Sequence, residues 1–539
     1  MQIRDNGLAF SPITLVLHWL VAALLLAIVL LGLARWQAID ASLQGELARW
    51  QNLLGLLLFL VSIYRLRQRL GAWHPLPVGT PNPVELIASR GVAVALALAM
   101  ALLPLALWLT RAAAGEASVL PGGWALPLPF AASAGVHAVL DWLLRIGATA
   151  FFRRPGPACV RRPQESLRTA QRRLAPHARQ TRGALIMIPF EANPPGPRLA
   201  DLCGVSHPVF LAGMAAISGP ALVAAVAKAG GMGTLGGLRL PPRLLRQWIR
   251  ETRALTDAPF GVNLVPSFGG PEVFEAQFRV LLEERPRLLS LFYAEDYPAM
   301  IERAKAAGML VMVQVGTVAL ARLAIRHGAD ILVAQGSESG GHLNRGTVGL
   351  LSLLPAIVEI AGGRPVLAAG GIVTREDVRT AMDLGAAGVL VGTAFVATHE
   401  SNAHPLYRQK IVEAGVDDTE YRTGYSYGWK YGTPHRVIPN RDRWNLLRFM
   451  GGGARAIDKP RMAEKLSLYA GQGVGKIHGV VSAAERMAEL VAGLSMTREA
   501  MAAATVEVKS MASATSVAST DAMAPTLHQP SRPMAHATR

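Results

Sequence analysis

Long apolar stretches open the chain at about 12–34, 50–69, 88–110 and 129–152. Each approaches the ~20 residues that an α-helix needs to cross a bilayer core. Four such stretches, with no small-residue cleavage site after the first, predict retained spans and not a removable leader. From 208 onward the pattern shortens to strand length. Apolar runs recur as PVFLAGM (208–214), GTLGG (233–237), FGVNLV (260–265), LLSLF (288–292), MLVMVQ (309–314), DILVAQ (330–335), PVLAAG (365–370) and GVLVG (388–392). Helical patterns separate them, for example Ala221–Ala229, Tyr297–Ala307, Val318–His327 and Arg375–Leu384. Eight strand–helix units predict an α/β fold, a (β/α)8 TIM barrel preceded by a four-helix transmembrane bundle. The expected boundaries are a membrane domain at 1–152, an Arg/Pro-rich linker at 153–200, the barrel at 201–495 and a disordered tail at 496–539.

Charge refines this picture. The 539 residues carry a net charge of +17. Much of it lies in the linker, at Arg153, Arg154, Arg161, Arg162, Arg168, Arg172, Arg173, Arg179 and Arg182. Directly after an apolar span, such a cluster reads as a segment facing anionic lipid. No aromatic residues interleave with it to stack on bases, so nucleic acid is not the expected partner. Arg65, Arg67 and Arg69 follow the second span, whereas the 35–49 and 112–128 loops have few basic residues. The positive-inside rule then puts both termini and the barrel in the cytoplasm. Asp141 and Arg145 interrupt the fourth span; four residues apart, they are expected to pair on a face turned into the bundle. The two cysteines, Cys159 and Cys203, give no disulfide framework.

In a barrel the chemistry gathers at the C-terminal ends of the strands. The first run closes on Gly213-Met214, where a glycine admits either a ligand or a tight turn. The third closes on Asn263, whose amide suits a flavin ring edge or a loop cap. The sixth runs into Gln335-Gly336-Ser337-Glu338-Ser339-Gly340-Gly341-His342. The seventh ends at Gly370-Gly371 and the eighth at Leu390-Val391-Gly392-Thr393, the positions at which barrels hold phosphate.

Together LAGM, GVNL, AQGSESGGH, AAGGI and VGTAF resemble the nitronate monooxygenase (2-nitropropane dioxygenase) family, a group that includes quinone and enoyl reductase relatives. The likeness runs over about 205–490 and takes in the glycine motif Tyr469-Ala470-Gly471-Gln472-Gly473-Val474-Gly475. The resemblance implies FMN bound by Gly213, Met214, Asn263, Gln335, Gly340, Gly341, Gly370, Gly371, Leu390, Val391, Gly392 and Thr393. It also implies phosphate at the last two strand ends and the isoalloxazine ring near the first and third. One position departs from the family pattern. The histidine proposed as catalytic base falls here on Phe292, which cannot take a proton. A nitroalkane is a carbon acid and needs a base; a nitronate is already an anion. Oxidation of pre-formed nitronate is therefore expected to survive better than that of neutral nitroalkane. His342 is the candidate substitute, with orientation of its own loop as the competing role. Tyr293 is a candidate phenolic donor, the run Tyr425, Tyr427, Trp429, Tyr431 a candidate flavin cover, and His435 with Arg436 candidates for an anionic substrate.

The opening Ser11-Pro12-Ile13-Thr14-Leu15-Val16-Leu17-His18-Trp19-Leu20 resembles the first helix of bacterial cytochrome b561-type membrane proteins, in which histidines ligate haem b. Gln51 stands where that family has a histidine, and of the helical histidines His18 and His137 remain. At the helical rise His18 sits roughly 9 Å inside its helix end and His137 roughly 22 Å, too unequal for two axial ligands of one iron. The expectation is a haem-free anchor in a bacterial inner membrane, in contact with membrane lipid, with no metal elsewhere. The expected activity is FMN-dependent oxidation of nitronates with O2. An NAD(P)H-fed quinone or enoyl reductase is the alternative, and an inert membrane-tethered scaffold the non-enzymatic one.

Overall fold

The computed structural model describes residues 10–71, 83–152 and 199–495, apart from short gaps at 216, 267, 269, 294–297, 424–428, 430–431 and 459. The basic linker through 198 and the tail from 496 lie outside the described residues. By compactness the chain divides into two units: Met1–Pro195 with two short pieces, Arg239–Leu245 and Pro266–Val280, and the remainder of the barrel.

The apolar opening folds as α1 (Pro12–Gln37), α2 (Ala41–Gly71), α3 (Pro83–Ala113) and α4 (Ala134–Phe152). Ser11 caps α1 by accepting from the Thr14 N–H at 3.2 Å, with Pro12 at the first helical position, where its missing donor costs nothing. The helices pack in series, α1 on α2, α2 on α3 and α3 on α4. Their buried core is small, Val21, Leu24 and Leu58 backed by Ile28, Leu54, Val61 and Met100. Most large apolar side chains, Leu15, Val16, Trp19, Leu26, Leu102 and Leu103 among them, are exposed. Among the described residues three helices are long and apolar enough to cross a membrane: Pro12–Gln37, Ala41–Gln68 and Gly91–Ala113. In α4, Asp141 and Arg145 do pair, at 2.7 Å. The expected inward orientation is corrected: their side chains are 38% and 78% exposed. The reason is that α4 packs along one side on α3, and this pair lies on an uncovered face.

Every strand expected from the apolar runs forms: β1 (Val209–Leu211), β2 (Gly233–Gly236), β3 (Phe260–Leu264), β4 (Leu288–Leu291), β5 (Leu310–Val315) and β6 (Ile331–Gln335). After a two-residue β7 (Gly341–His342) come β8 (Val366–Ala369) and β9 (Gly388–Val391). The parallel order β1-β9-β8-β6-β5-β4-β3-β2 closes through a bridge between Phe210 and Met232, where Leu211 N–H donates to Met232 O at 2.9 Å. The result is a (β/α)8 barrel. Buried side chains from successive strands, Phe210, Met232, Leu288, Met312, Ile331, Val333, Leu367 and Leu390, share a single core. A short helix α5 (Leu199–Cys203) adds Leu199 and Cys203 to that core and starts inside the segment read as linker. Arg287 donates to Leu202 O at 2.6 Å and holds this helix down. Burial pushes the Cys203 thiol up to about 12, so it is an inert core residue and not a nucleophile.

A second sheet lies outside the barrel: β10 (Glu420–Arg422), β11 (His435–Ile438), β12 (Gly451–Gly452) and β13 (Ser467–Tyr469), in the order β10-β11-β13-β12. β7 joins it by pairing antiparallel with β11, His342 opposite His435. The loop after β6 is thereby tied to the C-terminal excursion.

Candidate active site

The ends of β8 and β9 come together because these strands pair in register, Ala369 opposite Leu390. Gly370 and Gly371 have φ of +124° and +71°, a region that L side chains rarely adopt. Beside them, Gly392 leads into Thr393, whose hydroxyl oxygen accepts from the Gly471 N–H at 3.0 Å and keeps its own hydrogen to donate. The glycine motif after β13 seats directly on this place. A Cβ on Gly473 would lie 2.4 Å from Gly371 O, and one on Gly340 would lie 2.5 Å from Gly471 N. The neighbouring carboxylate, Glu338, is spent elsewhere: it accepts from Leu350 N–H at 2.9 and 3.2 Å, capping helix Leu350–Ile360. Small residues, a hydroxyl donor and a neighbouring carboxylate already committed elsewhere make a cradle that fits a phosphate.

At the other side of the mouth, Asn263 is buried and donates to Ser290 O at 3.2 Å, which leaves its side-chain oxygen to accept from a ring-edge N–H. The residues present therefore fit a flavin mononucleotide, phosphate at β8–β9 and ring toward β3.

Several of the residues singled out in the sequence also make contacts within the protein. A Cβ on Gly213 would lie 2.2 Å from that of Asn263, so its bareness makes room for the neighbouring strand. Met214 donates to Ser218 Oγ at 2.9 Å, and its sulfur lies 3.6 Å from the place a Cβ on Gly392 would take, linking the first and last strand ends. The Gln335 amide closes its own loop, donating to His342 O and accepting from Asn344 N–H, both at 2.9 Å. Gly341, φ +71°, turns the chain into β7. Leu390 and Val391 are buried, Leu390 in the barrel core.

Above the ring side stands a cluster of aromatic rings. Phe292 follows β4 directly, with its ring 5.8 Å from that of Trp429 at 65°. Tyr293 lies 5.2 Å from Trp429 at 73°. His342 stacks on Trp429 at 4.0 Å and 18°, with Tyr469 edge-on to it at 5.3 Å. Of the run read as a candidate flavin cover, Trp429 thus packs among these rings, and Tyr425, Tyr427 and Tyr431 lie outside the described residues. His435 and Arg436, read in the sequence as candidates for an anionic substrate, are both buried. His435 is buried, with Nδ1 3.2 Å from Thr433 O, while Nε2 has no hydrogen-bond partner among the described residues. Arg436 donates to Ser337 O at 3.0 Å and to Thr419 Oγ1 at 3.3 Å, locking the loop after β6 to the second sheet. Burial pulls both His435 and Arg436 below their usual ranges; for Arg436 the nearby Glu338 opposes this. Glu338, Asn344 and Tyr407, whose hydroxyl donates to Tyr469 O, were not singled out in the sequence. Their partners are 9 to 62 positions away, and no local motif announces them.

The family model described as nitronate monooxygenase matches residues 196–493. The chain belongs to the nitronate monooxygenase family. A nitronate monooxygenase from Pseudomonas aeruginosa is 34% identical over 286 residues, covering 45% of this chain and 80% of the relative. A (3aS,4S,5R,7aS)-5-hydroxy-7a-methyl-1-oxo-octahydro-1H-indene-4-carboxyl-CoA dehydrogenase from Rhodococcus jostii is 35% identical over 275 residues, 51% of this chain and 74% of the relative. Among solved structures, a nitroalkane oxidase from Streptomyces ansochromogenes is 29% identical, with 57% of this chain and 99% of that one covered and a TM-score of 0.49. As a member of the nitronate monooxygenase family, the chain is a flavin-dependent oxidoreductase.

Proposed function

We propose that the protein binds FMN at the barrel mouth and oxidises alkyl nitronates with O2. The observation that carries this reading is the cradle of Gly370, Gly371 and Thr393 under the Gly471–Gly473 loop, opposite the buried Asn263 amide. FMN held there would take electrons from the organic substrate and pass them to O2. The chain's own residues do the rest. Thr393 and the glycine backbone hold the phosphate end, Asn263 orients the ring, and Trp429 with Phe292 excludes water from above. His342 is the group at the mouth able to hold a proton, on a loop that Gln335 fixes in place. With a phenyl ring at 292, no base stands at the end of β4 among the described residues, so the substrate is expected to arrive already deprotonated. Oxygen uptake with pre-formed ethylnitronate against neutral nitroethane tests this. Strong uptake with the nitronate and weak uptake with the nitroalkane support the reading; equal uptake overturns it. Rapid bleaching of the flavin by NAD(P)H and none by nitronate favours the reductase reading instead.

The N-terminal helices are proposed as a haem-free, cytochrome b561-like anchor in a bacterial inner membrane, with the barrel in the cytoplasm. The exposed apolar faces of α1–α3 support the anchor. His18 is exposed beside Trp19, and the Gln51 amide donates to Ile28 O at 3.2 Å, joining α2 to α1 where a haem ligand would otherwise stand. A sharp b-type absorbance band after dithionite reduction would overturn the haem-free part.

A further inference from the structure

We infer that the rings at the mouth form the substrate seat, and that this seat selects a nitronate whose reacting carbon carries a flat conjugated ring over one carrying an aliphatic group of equal bulk. The inference rests on the nitronate reading above. The rings converge from separate elements: Phe292 and Tyr293 from the end of β4, His342 from β7, Tyr469 from β13, and Trp429 from the excursion between β10 and β11. All five are half-buried, whereas Ser290, Leu291 and Gln335 directly beneath them are buried. Open ring surface is thus concentrated at the mouth and not inside the core.

Their angles define a box. His342 and Trp429 are nearly parallel at 18°, while Phe292, Tyr293 and Tyr469 stand at 65°, 73° and 64° to a member of that pair. A planar guest extends the parallel stack and offers its electropositive rim to the upright faces. A saturated ring of the same bulk gains apolar burial alone. Two further observations favour a guest. Tyr293 has φ +57°, a left-handed conformation at a non-glycine residue, of the kind retained where a site uses the side-chain direction it gives. Two charged groups close to the cluster are committed elsewhere, Arg436 to Ser337 O and Thr419 Oγ1 and Glu338 to Leu350 N–H.

The test compares nitronates of phenylnitromethane, cyclohexylnitromethane and nitroethane as substrates of the full-length, FMN-loaded protein. The expected kcat/KM for the phenyl compound exceeds that for the cyclohexyl one by about two- to tenfold, mainly through KM, with the ethyl compound lowest. Trp429→Leu brings the phenyl-to-cyclohexyl ratio close to one, and Trp429→Phe restores most of it. Calorimetric titration with phenylacetate and cyclohexylacetate, neither of which carries the reacting nitro group, is expected to show the same order of affinity. Equal phenyl and cyclohexyl values overturn the inference and leave the nitronate reading standing. If flavin-bearing protein turns over none of the three, the nitronate reading falls, and the calorimetric comparison alone decides the ring preference.

Discussion

Phe292 follows β4 at the barrel mouth among Tyr293 and Trp429, and a phenyl ring has no lone pair with which to take a proton from carbon. Phe292→His supplies one at the same place. The expected outcome is a rise in turnover of neutral nitroethane relative to ethylnitronate of roughly 10²–10⁴-fold, the usual reach of a positioned general base. Oxygen uptake on the two forms measures it, and an unchanged ratio contradicts the role assigned to this position. His435 makes a different prediction. Burial, and then the charge of Arg422, lower its pKa, while its hydrogen bond to Thr433 O acts the other way. A histidine depressed in the folded state adds stability above its unfolded pKa of about 6.5 and loses it as pH falls through the folded value. Melting temperature is therefore expected to drop below about pH 6.5, and His435→Gln to flatten that drop. Thermal melts of both proteins across this range check it.

Loops and strands separate what the sequence reveals from what it hides. The eight barrel strands are legible because each is buried on both faces and reads as a continuous apolar run. Their glycine-bearing ends are legible for the same reason, since each sits directly after such a run. The second sheet is not legible. Its strands have two to four residues, and β7 meets β11 across more than 90 positions, so no local periodicity announces the pairing. The ends of β1 and β6 show how one residue type serves two purposes. Gly213 and Gln335 suit a ligand in sequence, yet one makes room for Asn263 and the other closes the loop to His342 and Asn344. The Gly471–Gly475 motif is the reverse case, a terminal segment whose spacing gives its position away. A Cβ on Gly473 would stand 2.4 Å from Gly371 O, so Gly473→Ala must push this loop off β8. A loss of FMN affinity of about tenfold or more is expected, roughly 1.4 kcal/mol. Fluorescence titration of the flavin-stripped protein reads it, and unchanged affinity removes the loop from the cofactor site.

At the scale of the whole molecule the chain joins two kinds of surface. The barrel buries most of its large apolar residues, whereas α1–α3 leave many exposed along helices long enough to span a bilayer. Exposed apolar area of this extent marks a lipid or protein contact and not a surface in water. The full chain is expected in the membrane fraction after alkaline carbonate washing, and a chain starting at 196 in the soluble fraction; recovery of the full chain in the supernatant would contradict the anchor. The central claim concerns the other surface, the flavin at the mouth of the barrel and the anion it oxidises. It is tested most directly by the visible spectrum of the purified full-length protein, recorded without oxygen before and after pre-formed nitronate is added. A flavin band that bleaches with nitronate and returns on admitting air is the predicted result. A protein that stays colourless when supplied with FMN, or a bound flavin that nitronate leaves unbleached, would contradict the account.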